Sequence, residues 1–78
     1  MYLNIPSTPQ ERVAFAARML HQKPAELDQK RFAWAQGYYY GVTDQDLEAI
    51  FYDNELDTIC SAGESQGLKD REHVSWPE

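Results

Sequence analysis

The stretch GYYYGVTDQDLEAIFY, residues 37–52, decides how this 78-residue chain is read. Gly37 and Gly41 stand four residues apart, so on a helix they share one face. Thr43 is a good N-cap, with Asp46 at the third position where a capping box usually has Glu. Leu47, Ile50 and Phe51 then recur at helical spacing. The stretch therefore predicts one helix that stops at Gly41, where a left-handed residue costs glycine nothing, and another that starts at Thr43. Gly37 inside a helix costs about 1 kcal/mol relative to Ala. Its expected compensation is the close approach of another backbone.

The spacing has a second implication. A helix-turn-helix unit wants a small residue in its first helix and a Gly four residues later at the turn. Apolar residues follow six and nine positions beyond that Gly, because the two helices cross closely and share a small core. Gly37, Gly41, Leu47 and Ile50 occupy those positions, and residues 37–52 resemble such a unit. As a DNA reader, its second helix would meet phosphates on both sides of the major groove. The exposed positions there carry Asp44, Asp46 and Glu48, with Asp53 just beyond. Carboxylates oppose the counterion release that drives phosphate binding, so the charge argues against DNA.

Working towards the N-terminus, Pro24 can open the helix that carries Gly37, with Glu26 and Asp28 in its first turns. Leu27, Arg31, Trp34 and Tyr38 form one stripe, and Phe32, Ala35 and Tyr39 a neighbouring one. An earlier helix starts at Thr8, with Pro9 at its first position and Glu11 completing a T-x-x-E box. Its apolar face is Val13, Ala16, Ala17 and Leu20, widened by Phe15 and Met19, with Arg12 and Arg18 mostly off it. Residues 1–7 read as an extended arm.

Towards the C-terminus the apolar pattern moves round the helical wheel after Tyr52. Leu56, Ile59 and Cys60 fall nearly opposite Leu47, Ile50 and Phe51, which predicts a break at Asp53–Asn54 and a short fourth helix to about Ala62. The competing reading is a hairpin pairing residues 49–52 with 56–60. Residues 63–78 read as a loop and loosely docked tail, with Val74 and Trp76 able to pack back onto the helical domain of residues 8–62. The expected fold is thus all-α, a small bundle of three to four short helices including a helix-turn-helix-like pair; the alternative is α+β with a hairpin around 49–60.

Composition narrows the function classes. The aromatic share of 13% is enough for a compact core and argues against global disorder. A single cysteine, Cys60, permits no internal disulfide framework. No run is long enough to span a bilayer, and residues 1–6 lack the features of a secretory signal; a cytoplasmic setting is expected. The net charge of −6 is unevenly spread. Residues 1–31 hold more basic than acidic groups, whereas residues 32–68 contain seven carboxylates and neither Lys nor Arg. Such a stretch attracts basic surfaces and repels anionic lipid and phosphate.

No enzymatic constellation emerges. Cys60 lies on an apolar stripe, as a buried structural thiol would. His21 stands at a helix end and His73 in the tail, with no acid and nucleophile spaced around either. Asp53, Glu55, Asp57, Ser61 and Glu64 match the ligand positions of a calcium loop, but Thr58 stands where its sharp turn needs Gly. No cofactor and no metal are expected. Three consecutive tyrosines cannot all face inward, since neighbours on a helix point about 100° apart, and exposed tyrosines suit protein interfaces. The expected docking face therefore comprises Tyr39, Tyr40, Asp44, Asp46, Glu48, Tyr52, Asp53, Glu55 and Asp57.

In size and charge the chain is similar to small inhibitors and regulators carried by phages and other mobile elements. The expected function is a non-enzymatic, acidic protein-binding module docking on a basic surface of a larger protein. Two alternatives remain. In one, Asp46, Asp53, Asp57 and Glu64 align as a nucleic-acid mimic; in the other, the chain is a dimeric helix-turn-helix-like regulator using its basic first helix.

Overall fold

The computed structural model describes residues 4–21, 28–45 and 53–77. Among them are three helices and no strand: α1 (Pro9–His21), α2 (Gln29–Val42) and α3 (Asn54–Asp70). The fold is all-helical, and residues 56–60, one arm of the alternative hairpin, lie inside α3.

Each helix start is written in local chemistry. At α1 the Thr8 hydroxyl accepts from the Glu11 amide at 3.3 Å and donates to the Glu11 carboxylate at 2.8 Å. Asp28 is the N-cap of α2, accepting from the amides of Lys30 and Arg31, so the described helix begins five residues later than a start at Pro24. Residues 22–27 lie outside the described residues. Asp53 caps α3 in the same way through the amides of Glu55 and Leu56, at the predicted break. Each cap satisfies amides that a helix leaves without partners.

α2 is the middle element, which explains its weakly one-sided pattern. Ala33, Trp34, Ala35, Gly37, Tyr38, Gly41 and Val42 are all buried, covered by α1 on one side and α3 on the other. α1 runs antiparallel to α2: Phe15 meets Trp34 edge-on at 5.9 Å, while the Tyr38 hydroxyl reaches the other end of α1 near Pro9. Val13, Phe15, Ala16 and Met19 of α1 close this core against Trp34, Ala35, Tyr38 and Val42.

α3 runs parallel to α2. Lys30 bridges Glu55 at one end of the pair and Asp44 bridges Arg71 at the other. Between them the two backbones touch. A Cβ on Gly37 would collide with the Cys60 carbonyl, and one on Gly63 with the Trp34 carbonyl. A Cβ on Gly67 would lie 2.5 Å from the Tyr38 carbonyl oxygen and 2.9 Å from Cα of Gly41. Small residues at such spacing let helix backbones approach directly. This is the compensation Gly37 required, but its source is α3 rather than a helix starting at Thr43.

Two expectations are corrected. Gly41 does not end its helix: it is buried within α2, no glycine has positive φ, and the left-handed residue is Asp44 at φ 57°. The turn comes three residues later because Thr43, expected to start a helix, instead closes α2 as its C-cap: its amide donates to the carbonyls of Tyr39 and Gly41, and its hydroxyl to that of Tyr39 at 2.7 Å. Nor does the last helix stop at Ala62: it continues to Asp70, and Gly63 and Gly67 are contact points inside it rather than loop signals. Residues 46–52, where most of the expected second helix of the helix-turn-helix-like unit would fall, lie outside the described residues.

Candidate functional site

The described residues of the expected docking face fall at the two ends of the α2–α3 pair. Asp53, Glu55 and Asp57 are exposed around the start of α3. Asp53 is committed to capping, and Glu55 meets Lys30 at 3.2 Å. Asp28, beside Arg31 at 3.7 Å, completes this end. Tyr39, Tyr40 and Asp44 lie at the opposite end, where α2 finishes. The helical rise puts the two groups roughly 10–25 Å apart along the pair, depending on which residues are compared. Asp46, Glu48 and Tyr52 lie outside the described residues.

The tyrosine end is more enclosed than a bare interface. Tyr39 and Tyr40 are both half-buried and meet edge-on at 5.5 Å. Trp76, from the segment after α3, stands edge-on to Tyr39 at 4.8 Å. Gln45 donates to the Tyr39 hydroxyl at 3.4 Å, and Arg71 holds the exposed Asp44 at 2.8 Å. The arm and the C-terminal segment both pack on the domain, with Ile5, Val74 and Trp76 against the core.

Behind this end lies a polar cluster that the sequence reading missed. Asp70, the last residue of α3, is only 3% exposed. Arg12 grips its carboxylate with two hydrogen bonds, from Nε at 2.7 Å and Nη2 at 3.1 Å. The Tyr38 hydroxyl donates to it at 2.7 Å and Gln66 Nε2 at 2.9 Å. A third arm of the guanidinium donates to the carbonyl of Pro6. One carboxylate thus ties together all three helices and the N-terminal arm. A carboxylate at a helix C-terminus opposes the dipole, and Arg12 supplies the compensating charge. Burial alone would push the Asp70 carboxyl up; donation from Arg12, Tyr38 and Gln66 outweighs it and holds the group below the usual carboxylate range. Burial, reinforced by Asp70, pushes the Tyr38 hydroxyl above its ordinary value.

The remaining reactive groups are dispersed. Cys60 is fully buried where α3 meets Gly37, and burial, with Asp57 and Glu64 nearby, pushes its thiol up to about 11. His21 Nδ1 lies 2.7 Å from the carbonyl of Ala17, at the end of α1. The calcium-loop positions 54–64 are helical. Among the described residues, no three His, Cys, Asp or Glu side chains are grouped to hold a metal ion, and no helix is long and apolar enough to cross a membrane. No protein-family model matches the chain, and no curated protein or solved structure is significantly similar to it.

Proposed function

We propose that the chain is a small protein-binding module, an inhibitor or regulator, whose acidic groups dock on a basic surface of a larger protein. The observation that carries this reading is the absence of any Lys or Arg between residues 32 and 68 beside seven carboxylates, of which Asp53, Glu55 and Asp57 are exposed around one helix start. The tyrosines at the far end of the pair supply rigid, amphipathic contact area.

Affinity capture from cells that express the chain tests the reading, with the wild type set against a Glu55→Lys, Asp57→Lys variant. These two positions carry charge without capping the helix. A protein retained by the wild type and lost by the variant, and released by salt, supports acidic docking. Equal retention by both overturns it.

A second reading, nucleic-acid mimicry, draws on the continuity of α3, which sets Asp57 and Glu64 seven residues apart along one line of the same helix. An oligonucleotide that displaces the captured protein favours it. The DNA-binding regulator loses support, since Arg12 of the basic first helix is turned onto Asp70. A gel shift at low salt, with no partner added, tests that alternative.

A further inference from the structure

We infer that residues 71–77 form a displaceable strap over Tyr39, so that the tyrosine end of the molecule is offered to a partner only when the strap lifts. The inference rests on the reading of Tyr39 and Tyr40 as part of the docking surface, and adds its regulation.

The segment is held unevenly along its length. Its root, Asp70, is fixed by four side-chain hydrogen bonds from three residues. The amides of His73 and Val74 both donate to the Asp70 carbonyl, at 2.8 and 3.1 Å, and complete a turn. Beyond Val74 the grip changes in kind. Among the described residues, Ser75, Trp76 and Pro77 make no hydrogen bond or ion pair. The strap is held by the partly buried side chains of Val74 and Trp76, the latter through its edge-on contact with Tyr39.

An open groove of about 300 Å³ runs beside it, lined by Gln10, Val13 and Ala14 of α1 and by His73, Val74 and Pro77. Among the described residues the strap has no backbone hydrogen bond beyond Val74, and such a segment belongs to the low-stability end of a fold, where opening precedes global unfolding. The turn at residues 71–73 is the hinge, because everything before it is locked by Asp70.

Lifting the strap uncovers the ring of Tyr39 beside Tyr40, at the end of α2 that carries Asp44. A partner that needs this surface must wait for the open state, and its apparent affinity is reduced by the open fraction. With the open state populated at about 0.1–10%, removing the cover tightens docking by about ten-fold or more.

The experiment uses the full chain labelled with 5-fluorotryptophan, which gives one ¹⁹F signal for Trp34 and one for Trp76, assigned with Trp76→Phe. Relaxation dispersion should show exchange at Trp76 and none at Trp34. Photo-CIDNP with a flavin dye as contact probe then reads the exposure of the tyrosine rings. Trp76→Ala should polarise Tyr39 while the far-UV circular dichroism of the helical body is unchanged, and Trp76→Phe should restore its protection. A static Trp76 signal, a Tyr39 ring no more accessible in Trp76→Ala, or loss of the helical body in that variant each overturns the strap. None of these readouts uses a partner, so they can fail while the lysine variants still show acidic docking, and the reverse.

Discussion

Arg12 and Asp70 lie 58 residues apart in the chain and meet as a two-pronged ion pair, with side chains only 14% and 5% exposed. Among the described residues, the pair is the one ion pair that joins α1 to α3. Removing Arg12 leaves a buried carboxylate at a helix C-terminus with only neutral donors. Breaking a buried pair from one side costs about 3–5 kcal/mol, so Arg12→Ala should lower the unfolding free energy in urea by that order. Arg12→Lys keeps the charge but not the fork, and should fall between. An Arg12→Ala variant as stable as the wild type contradicts this account.

The same pair sets a pH dependence whose sign follows from the direction of the shift. The folded-state pKa of Asp70 lies below its unfolded value of ~3.9. Its contribution is therefore fully present above that value and is lost as pH falls through the folded pKa. The stability gap between the wild type and Asp70→Asn should be widest near neutrality and shrink below about pH 4. Urea titrations at several pH values read this directly; a gap constant down to pH 2 opposes it.

Gly37→Ala reverses the ordinary helix rule. On an exposed helix the change gains about 1 kcal/mol; here the added Cβ meets the Cys60 carbonyl, a backbone atom that cannot move aside without separating the helices. Overpacking of this kind costs about 1–3 kcal/mol or more. Thermal denaturation should show a lower midpoint, and a raised one is the contrary result.

The acidic end separates charge from structure. Asp53→Ala removes a cap and should cost about 0.5–2 kcal/mol. Asp57→Lys touches no cap and should stay within about 0.5 kcal/mol of the wild type. If Asp57→Lys destabilises as much as Asp53→Ala, the exposed carboxylate is structural and cannot be used as a clean probe of docking.

The legible parts of this fold were the local ones. Thr8 with Glu11, and Asp53 beside the change in apolar phase, marked two helix starts because caps are written within four residues. The all-helical class followed from the same periodicity, and Gly37 correctly demanded a nearby backbone. What stayed hidden was which backbone. Gly63 and Gly67 repeat the four-residue spacing of Gly37 and Gly41, a signal that was available. Glycine's usual role as punctuation favoured a loop, and tertiary contact overrode that preference. Asp70 was illegible for a different reason: nothing local distinguishes it from its charged neighbours Lys69, Arg71 and Glu72. Of the expected docking residues, the separation of Tyr39 from Asp57 follows from the parallel course of α3, which periodicity does not encode.

The glycine seam between α2 and α3 also bears on how the protein responds to temperature. Where most helix pairs hide hydrocarbon, this one brings peptide groups against peptide groups. Exposing apolar surface raises the heat capacity of unfolding, and exposing polar surface lowers it. The seam therefore contributes little or negatively to a heat-capacity increment that is about 1 kcal/mol/K for an ordinary chain of this length. Calorimetry should return a smaller value, and with it a broad, shallow stability curve that bends little on cooling.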